Sequence, residues 1–165
     1  MRKGQREYRG AKTKTFSKLG GFRNLLAWQR ADDLAEVVYR LTGRFGPGLY
    51  RLSDQMRGAA ISVTDNIAEG YARGALGDYI RFCEIARSSL AESGTYIQDC
   101  ERWDLVTGTD LDELVSLYGE TSYLLNQLLR GLYEKRREGT WERAILETSP
   151  TYDIRPPSPD QEALP

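Results

Sequence analysis

At 165 residues, 40% of them hydrophobic and 28% charged, the chain reads as a single globular domain with enough material for a good core. No apolar run approaches the roughly 20 residues of a membrane span, and the basic N-terminus is not followed by the apolar segment of a secretory signal. The net charge of −1 hides an asymmetry: residues 1–23 set eight cations against Glu7, giving +7, whereas residues 138–165 set two arginines against six carboxylates, giving −4.

Residues 1–21 contain Gly4, Gly10, Gly20 and Gly21 and little periodicity, which predicts a flexible basic arm. A first helix is expected from about Asn24, a suitable N-cap residue. Ala31, Leu34, Val38, Leu41 and Phe45 then recur at three- and four-residue spacing until Gly46-Pro47-Gly48 breaks the pattern.

The second helix is predicted from about Tyr50 to Tyr71. Leu52, Met56, Ala59, Val63 and Ile67 form one apolar stripe, and Gln55, Ser62, Asn66 and Glu69 form a polar stripe at its edge. Ile61 and Ala68 point the opposite way, beside Arg57. That far side lacks the charge of an ordinary surface helix, so the helix is expected to pack twice, and Arg57 to lie in a subunit contact.

The third helix is predicted from about Asp78 to Trp103, with Tyr79, Phe82, Cys83, Ala86, Leu90, Ile97 and Cys100 on one side and Ile85 and Tyr96 on the other. Thr109 or Asp110 is expected to cap the fourth, whose heptad runs Leu111, Leu114, Tyr118, Thr121, Leu125, Leu128, Leu132 and is widened by Leu117 and Leu124. Arg130, Lys135, Arg136 and Arg137 near its end suit the helix dipole. One further turn is expected over residues 141–146, before a Pro-rich acidic tail. Short connections between long helices predict an all-α, up-down-up-down four-helix bundle over 22–137, flanked by the arm (1–21) and the tail (138–165).

Gln55-x-Arg57-x-Ala59-Ala60-x-Ser62, followed by Asn66-Ile67-Ala68-Glu69-Gly70, resembles the signature of the 23S ribosomal RNA intervening-sequence proteins. The accessory variability proteins of diversity-generating retroelements share that fold. The resemblance extends to Phe22-Arg23-Asn24-Leu25-x-x-Trp28-Gln29 and to Ala86-Arg87-Ser88-Ser89-Leu90-x-Glu92, and covers roughly residues 22 to 133. Ser88 stands where the family usually has Gly, and Ser93-Gly94 replaces larger residues. The resemblance implies the same bundle, a homopentameric ring and, in the accessory-protein branch, binding to a reverse transcriptase and its template RNA. In the intervening-sequence branch the gene lies within ribosomal RNA.

The chemistry is sparse. With no histidine, the Glu-x-x-His di-iron site and every Ser-His or Cys-His nucleophile are excluded. No cofactor or metal is expected. Cys83 and Cys100 form no ligand pattern and read as buried free thiols, which points to a cytoplasmic location. Glu69 and Glu92 are the carboxylate pair considered for acid–base work. A structural role is favoured for them, for Asn66 and for the rest of the motif: Gln55, Arg57, Ser62, Gly70 and Arg87. Glu69, close to a helix C-terminus, needs a compensating cation, expected from Arg57 or Arg87.

The arm supplies the candidate nucleic-acid contacts: Arg2, Lys3, Arg6, Arg9, Lys12, Lys14, Lys18 and Arg23, with Tyr8 and Phe16 among them to stack on bases. Two functional readings follow. One is a non-enzymatic oligomeric scaffold that binds RNA or DNA; the other is a protein–protein adaptor with an incidental basic tail.

Overall fold

The computed structural model describes residues 20–141. The arm cations from Arg2 to Lys18 lie outside the described residues, as does all of the expected final turn beyond Trp141. Four helices are found: α1 (Leu26–Thr42), α2 (Tyr50–Arg73), α3 (Leu76–Arg102) and α4 (Gly108–Glu138). Short 3-10 turns at Gly21–Asn24 and Pro47–Leu49 precede α1 and α2. Among the described residues there is no strand, and no helix is long and apolar enough to cross a membrane. The chain is an all-α four-helix bundle.

α2 packs on α1 and α3, and α4 packs on α1 and α3, so each helix has two principal neighbours. The core takes Leu34, Val38 and Leu41 from α1, Met56, Val63 and Ile67 from α2, Cys83, Ala86 and Leu90 from α3, and Leu114, Leu125 and Leu132 from α4. Every residue predicted for the apolar side of the third helix is buried.

Two predicted caps are not used. Asn24 closes the 3-10 turn, and Leu25 occupies the N-cap position of α1 with no side-chain capping bond. Phe22, packed against Trp28 at 5.2 Å and Tyr71 at 6.5 Å, sets this entry, so ring burial outweighs capping preference. α4 begins at Gly108, after Thr107 in the N-cap position. Asp110 does not cap it; its carboxylate takes Arg40 at 3.2 Å and Arg44 at 2.7 Å from α1. These guanidinium hydrogen bonds hold the Asp110 carboxyl below the usual carboxylate range. Arg40–Glu113 at 2.5 Å and Arg30–Glu120 at 3.1 Å continue this α1–α4 ion-pair row.

The fourth-helix heptad also shifts. Leu114, Thr121, Leu125 and Leu132 are buried, but Leu128 is half-buried and Leu129 takes the interior place. A heptad falls behind a straight helix by about 20° per repeat, and late in α4 this turns the neighbouring position Leu129 inward between Leu125 and Leu132.

Candidate functional site

The motif residues converge on the seam between α2 and α3, which small side chains hold narrow. A Cβ placed on Gly70 would meet the Phe82 Cβ and Tyr79 Cδ2 at 2.9 Å and the Tyr79 carbonyl at 3.2 Å. Ala59 and Ala60 on α2, and Ala86 and Ser93 on α3, are also buried. This close approach brings hydroxyls on the two helices into contact.

A directed chain of hydrogen bonds crosses the seam. Asn66 Nδ2 donates to the Ser62 carbonyl at 2.7 Å and to Ser62 Oγ at 3.1 Å. Ser62 Oγ and Ser89 Oγ lie 2.9 Å apart, and Ser89 Oγ donates to the Ile85 carbonyl at 3.1 Å. Each hydroxyl has one proton, so Ser62 must be the donor to Ser89. The chain runs Asn66 to Ser62 to Ser89 to Ile85, and the half-buried polar groups satisfy one another without a general base. This arrangement supports helix register rather than proton transfer.

The remaining motif residues are scattered around this seam. Gln55 is exposed. Glu69 is exposed and pairs with Arg73 one turn along, so its compensating cation is neither Arg57 nor Arg87 as expected. The Glu69–Arg73 spacing of four residues was the available signal. Arg87 pairs with Glu84, and Glu92 accepts from Tyr96 Oη at 3.0 Å. Glu69 and Glu92 are each engaged within their own helix, not with each other.

Arg57 departs from the expected outward placement. It is half-buried; its Nε donates to Thr42 Oγ1 at 2.7 Å and its guanidinium covers the Tyr39 ring at 4.6 Å. Thr42 Oγ1 in turn donates to the Val38 carbonyl at 2.7 Å. Arg57 therefore ties α2 to the last turn of α1. Ile61, at 48%, and Ile85, at 39%, are exposed as expected, whereas Ala68 and Tyr96 are half-buried and Tyr96 packs against the core.

Arg23 is the one proposed arm contact within the described residues. Its guanidinium lies 4.3 Å from the Phe22 ring centre, and its carbonyl accepts Gln29 Nε2 at 2.7 Å. Residue 23 is thus part of the bundle's entry, and the other arm cations lie outside the described residues. Among the described residues, no group of three His, Cys, Asp or Glu side chains is placed to hold a metal. Cys83 and Cys100 are buried and free. Burial pushes their thiols up to about 12 and about 11.

The family model of the 23S rRNA-intervening sequence protein matches residues 23–127, which takes in α1, α2, α3, the whole hydrogen-bonded seam and most of α4. The chain belongs to the 23S rRNA-intervening sequence protein family. No curated protein matches the chain. In this intervening-sequence protein the matched stretch contains every motif residue from Gln55 to Glu92. Of the arm cations it contains only Arg23, so membership bears on the seam and not on the arm.

Proposed function

We propose that this protein is a non-enzymatic homo-oligomeric scaffold that binds RNA through its basic N-terminal arm. The carrying observation is charge segregation. Within the bundle Arg30, Arg40, Arg44, Arg73, Arg87 and Arg102 each meet a carboxylate, whereas residues 1–23 hold eight cations against one acid. Cations already paired are poor partners for phosphates; an arm with an excess of seven attracts them and releases their counterions. The family is described by its link to 23S rRNA, which agrees with an RNA partner.

In this reading the bundle runs up-down-up-down and assembles as a pentameric ring, so several arms act on one strand and avidity multiplies weak contacts. The protein partner is a reverse transcriptase acting on that RNA, as the resemblance to retroelement accessory proteins implies. The test is a titration of labelled single-stranded RNA at two salt concentrations, using the whole chain and a chain lacking residues 1–19. The cut stops before Gly20 because Phe22 belongs to the bundle. The whole chain should lose affinity with salt at a log–log slope of about 0.7 per phosphate contact, and the shortened chain should bind weakly with a flatter slope. Equal affinities would favour the adaptor reading, which the exposed Ile61 and Ile85 support.

A further inference from the structure

Both ends of the described chain leave the bundle at the same place. Phe22, two residues after Gly20, packs edge-on against Tyr71; Tyr71 packs against Tyr79 at 6.0 Å; and Tyr79 packs against Trp141 at 6.2 Å. Trp141 is fixed further by its indole N–H, which donates to the Gly74 carbonyl at 3.1 Å. Three ring contacts therefore link the exit of the basic arm to the exit of the acidic segment. Gly74 also follows directly on Arg73, whose guanidinium lies 5.2 Å from the Phe82 ring, with that of Arg81 at 4.9 Å from the same ring. Lys135, Arg136 and Arg137 occupy the last turn of α4, just before Trp141.

The chain beyond Trp141 carries Glu142, Glu147, Asp153, Asp160 and Glu162 against two arginines. Its 24 residues reach about 80 Å when extended, several times what is needed to cover this end. Trp141, the last described residue, lies against the Gly74 carbonyl at the end that also carries Arg81 and the closing turn of α4 with Lys135, Arg136 and Arg137. We infer that the arm-bearing end of the bundle is the docking surface of the chain's own acidic C-terminal segment, residues 142–165, which competes there with RNA. This inference rests on the RNA-binding reading above for its consequence, but the docking itself does not require RNA. Tethering gives the segment an effective concentration in the millimolar range, enough for a weak electrostatic contact to be occupied most of the time. A polyanionic strand of sufficient length displaces it.

The experiment compares the full chain with a full-length variant carrying Glu142→Gln, Glu147→Gln, Asp153→Asn, Asp160→Asn and Glu162→Gln. Labelled oligouridylate should bind the variant roughly three- to tenfold more tightly at low salt, and the gap should close near 0.5 M salt as screening removes the competitor. A second measurement uses no RNA: carbodiimide treatment of the full chain should join these carboxylates to Lys12, Lys14, Lys18 or Lys135. Equal RNA affinities together with no such cross-links overturn the docking while leaving the RNA reading intact. No RNA binding by either protein, with the cross-links present, overturns the RNA reading and leaves the docking standing.

Discussion

A methyl group added to Gly70 would come within 2.9 Å of the Phe82 Cβ. Helix propensity favours Ala over Gly by about 1 kcal/mol, but here the clash is with a Cβ and a backbone carbonyl, neither of which can swing aside. Gly70→Ala should therefore destabilise the bundle by about 1–2 kcal/mol in chemical denaturation. Gly58, on the same helix, has open space around it. Gly58→Ala should stabilise by about 0.5–1 kcal/mol, and a matching gain at Gly70 would remove the steric account of the seam.

Glu69 and Asn66 separate monomer stability from assembly. The Glu69–Arg73 pair is exposed and screened by solvent, so Glu69→Leu should scarcely alter the denaturation midpoint. If the motif face joins subunits, the same substitution lowers the mass seen by light scattering toward the 18.7 kDa of one chain. Asn66→Leu deletes the donor to Ser62 and should cost about 1 kcal/mol as well. A wild-type mass of one chain at micromolar concentration would end the ring proposal.

Asp33 gives a pH dependence opposite in sign to most carboxylates. Its carboxyl is buried, one oxygen has no partner, and desolvation, reinforced by the nearby Asp32 and Glu36 carboxylates, raises its pKa despite the hydrogen bond from Arg30. A carboxyl raised in the folded state favours folding below its unfolded value of 3.8 and loses that contribution as pH climbs through the folded value. Asp33→Asn should therefore gain on the wild type between about pH 4 and pH 7. Urea denaturation of both proteins at the two pH values checks this; a constant difference would refute it.

The two thiols test core integrity. Cys83 and Cys100 are fully enclosed, and Cys100 Sγ sits 3.9 Å from Met56 Sδ between α3 and α2. A thiol reagent at pH 8 should label neither in the native protein within minutes and both at once in denaturant. Met56→Ala, which opens a cavity beside Cys100 and costs about 2–5 kcal/mol, should speed labelling at Cys100.

The helices and most of the core were legible in the sequence because burial repeats at the helical period along α1, α2 and α3. Leu129 was hidden by helix drift, which a fixed heptad does not track. The capping roles expected of Asn24 and Asp110 failed because each position answers to a partner far along the chain: Phe22 to Tyr71, and Asp110 to Arg40 and Arg44. The motif was visible as a stripe, but its meaning was not. That Ser62 faces Ser89, and that Arg57 turns to Thr42, depends on how neighbouring helices are rotated, and no single-helix pattern carries that information. The aromatic run from Phe22 to Trp141 is spread over almost the whole described chain and exists only once the bundle closes.

Because that run gathers the chain's entry at Phe22 and its exit at Trp141, a label attached at either position will crowd one pole of the bundle. A bulky fluorescent protein or affinity handle placed there would mask the very end whose binding is in question. The opposite pole offers a quieter site. Gly46 and Gly48 flank Pro47 in an exposed connection where added atoms meet nothing within 4 Å. An insertion there leaves the Phe22 and Trp141 exits untouched, and it is where a reporter should be grafted.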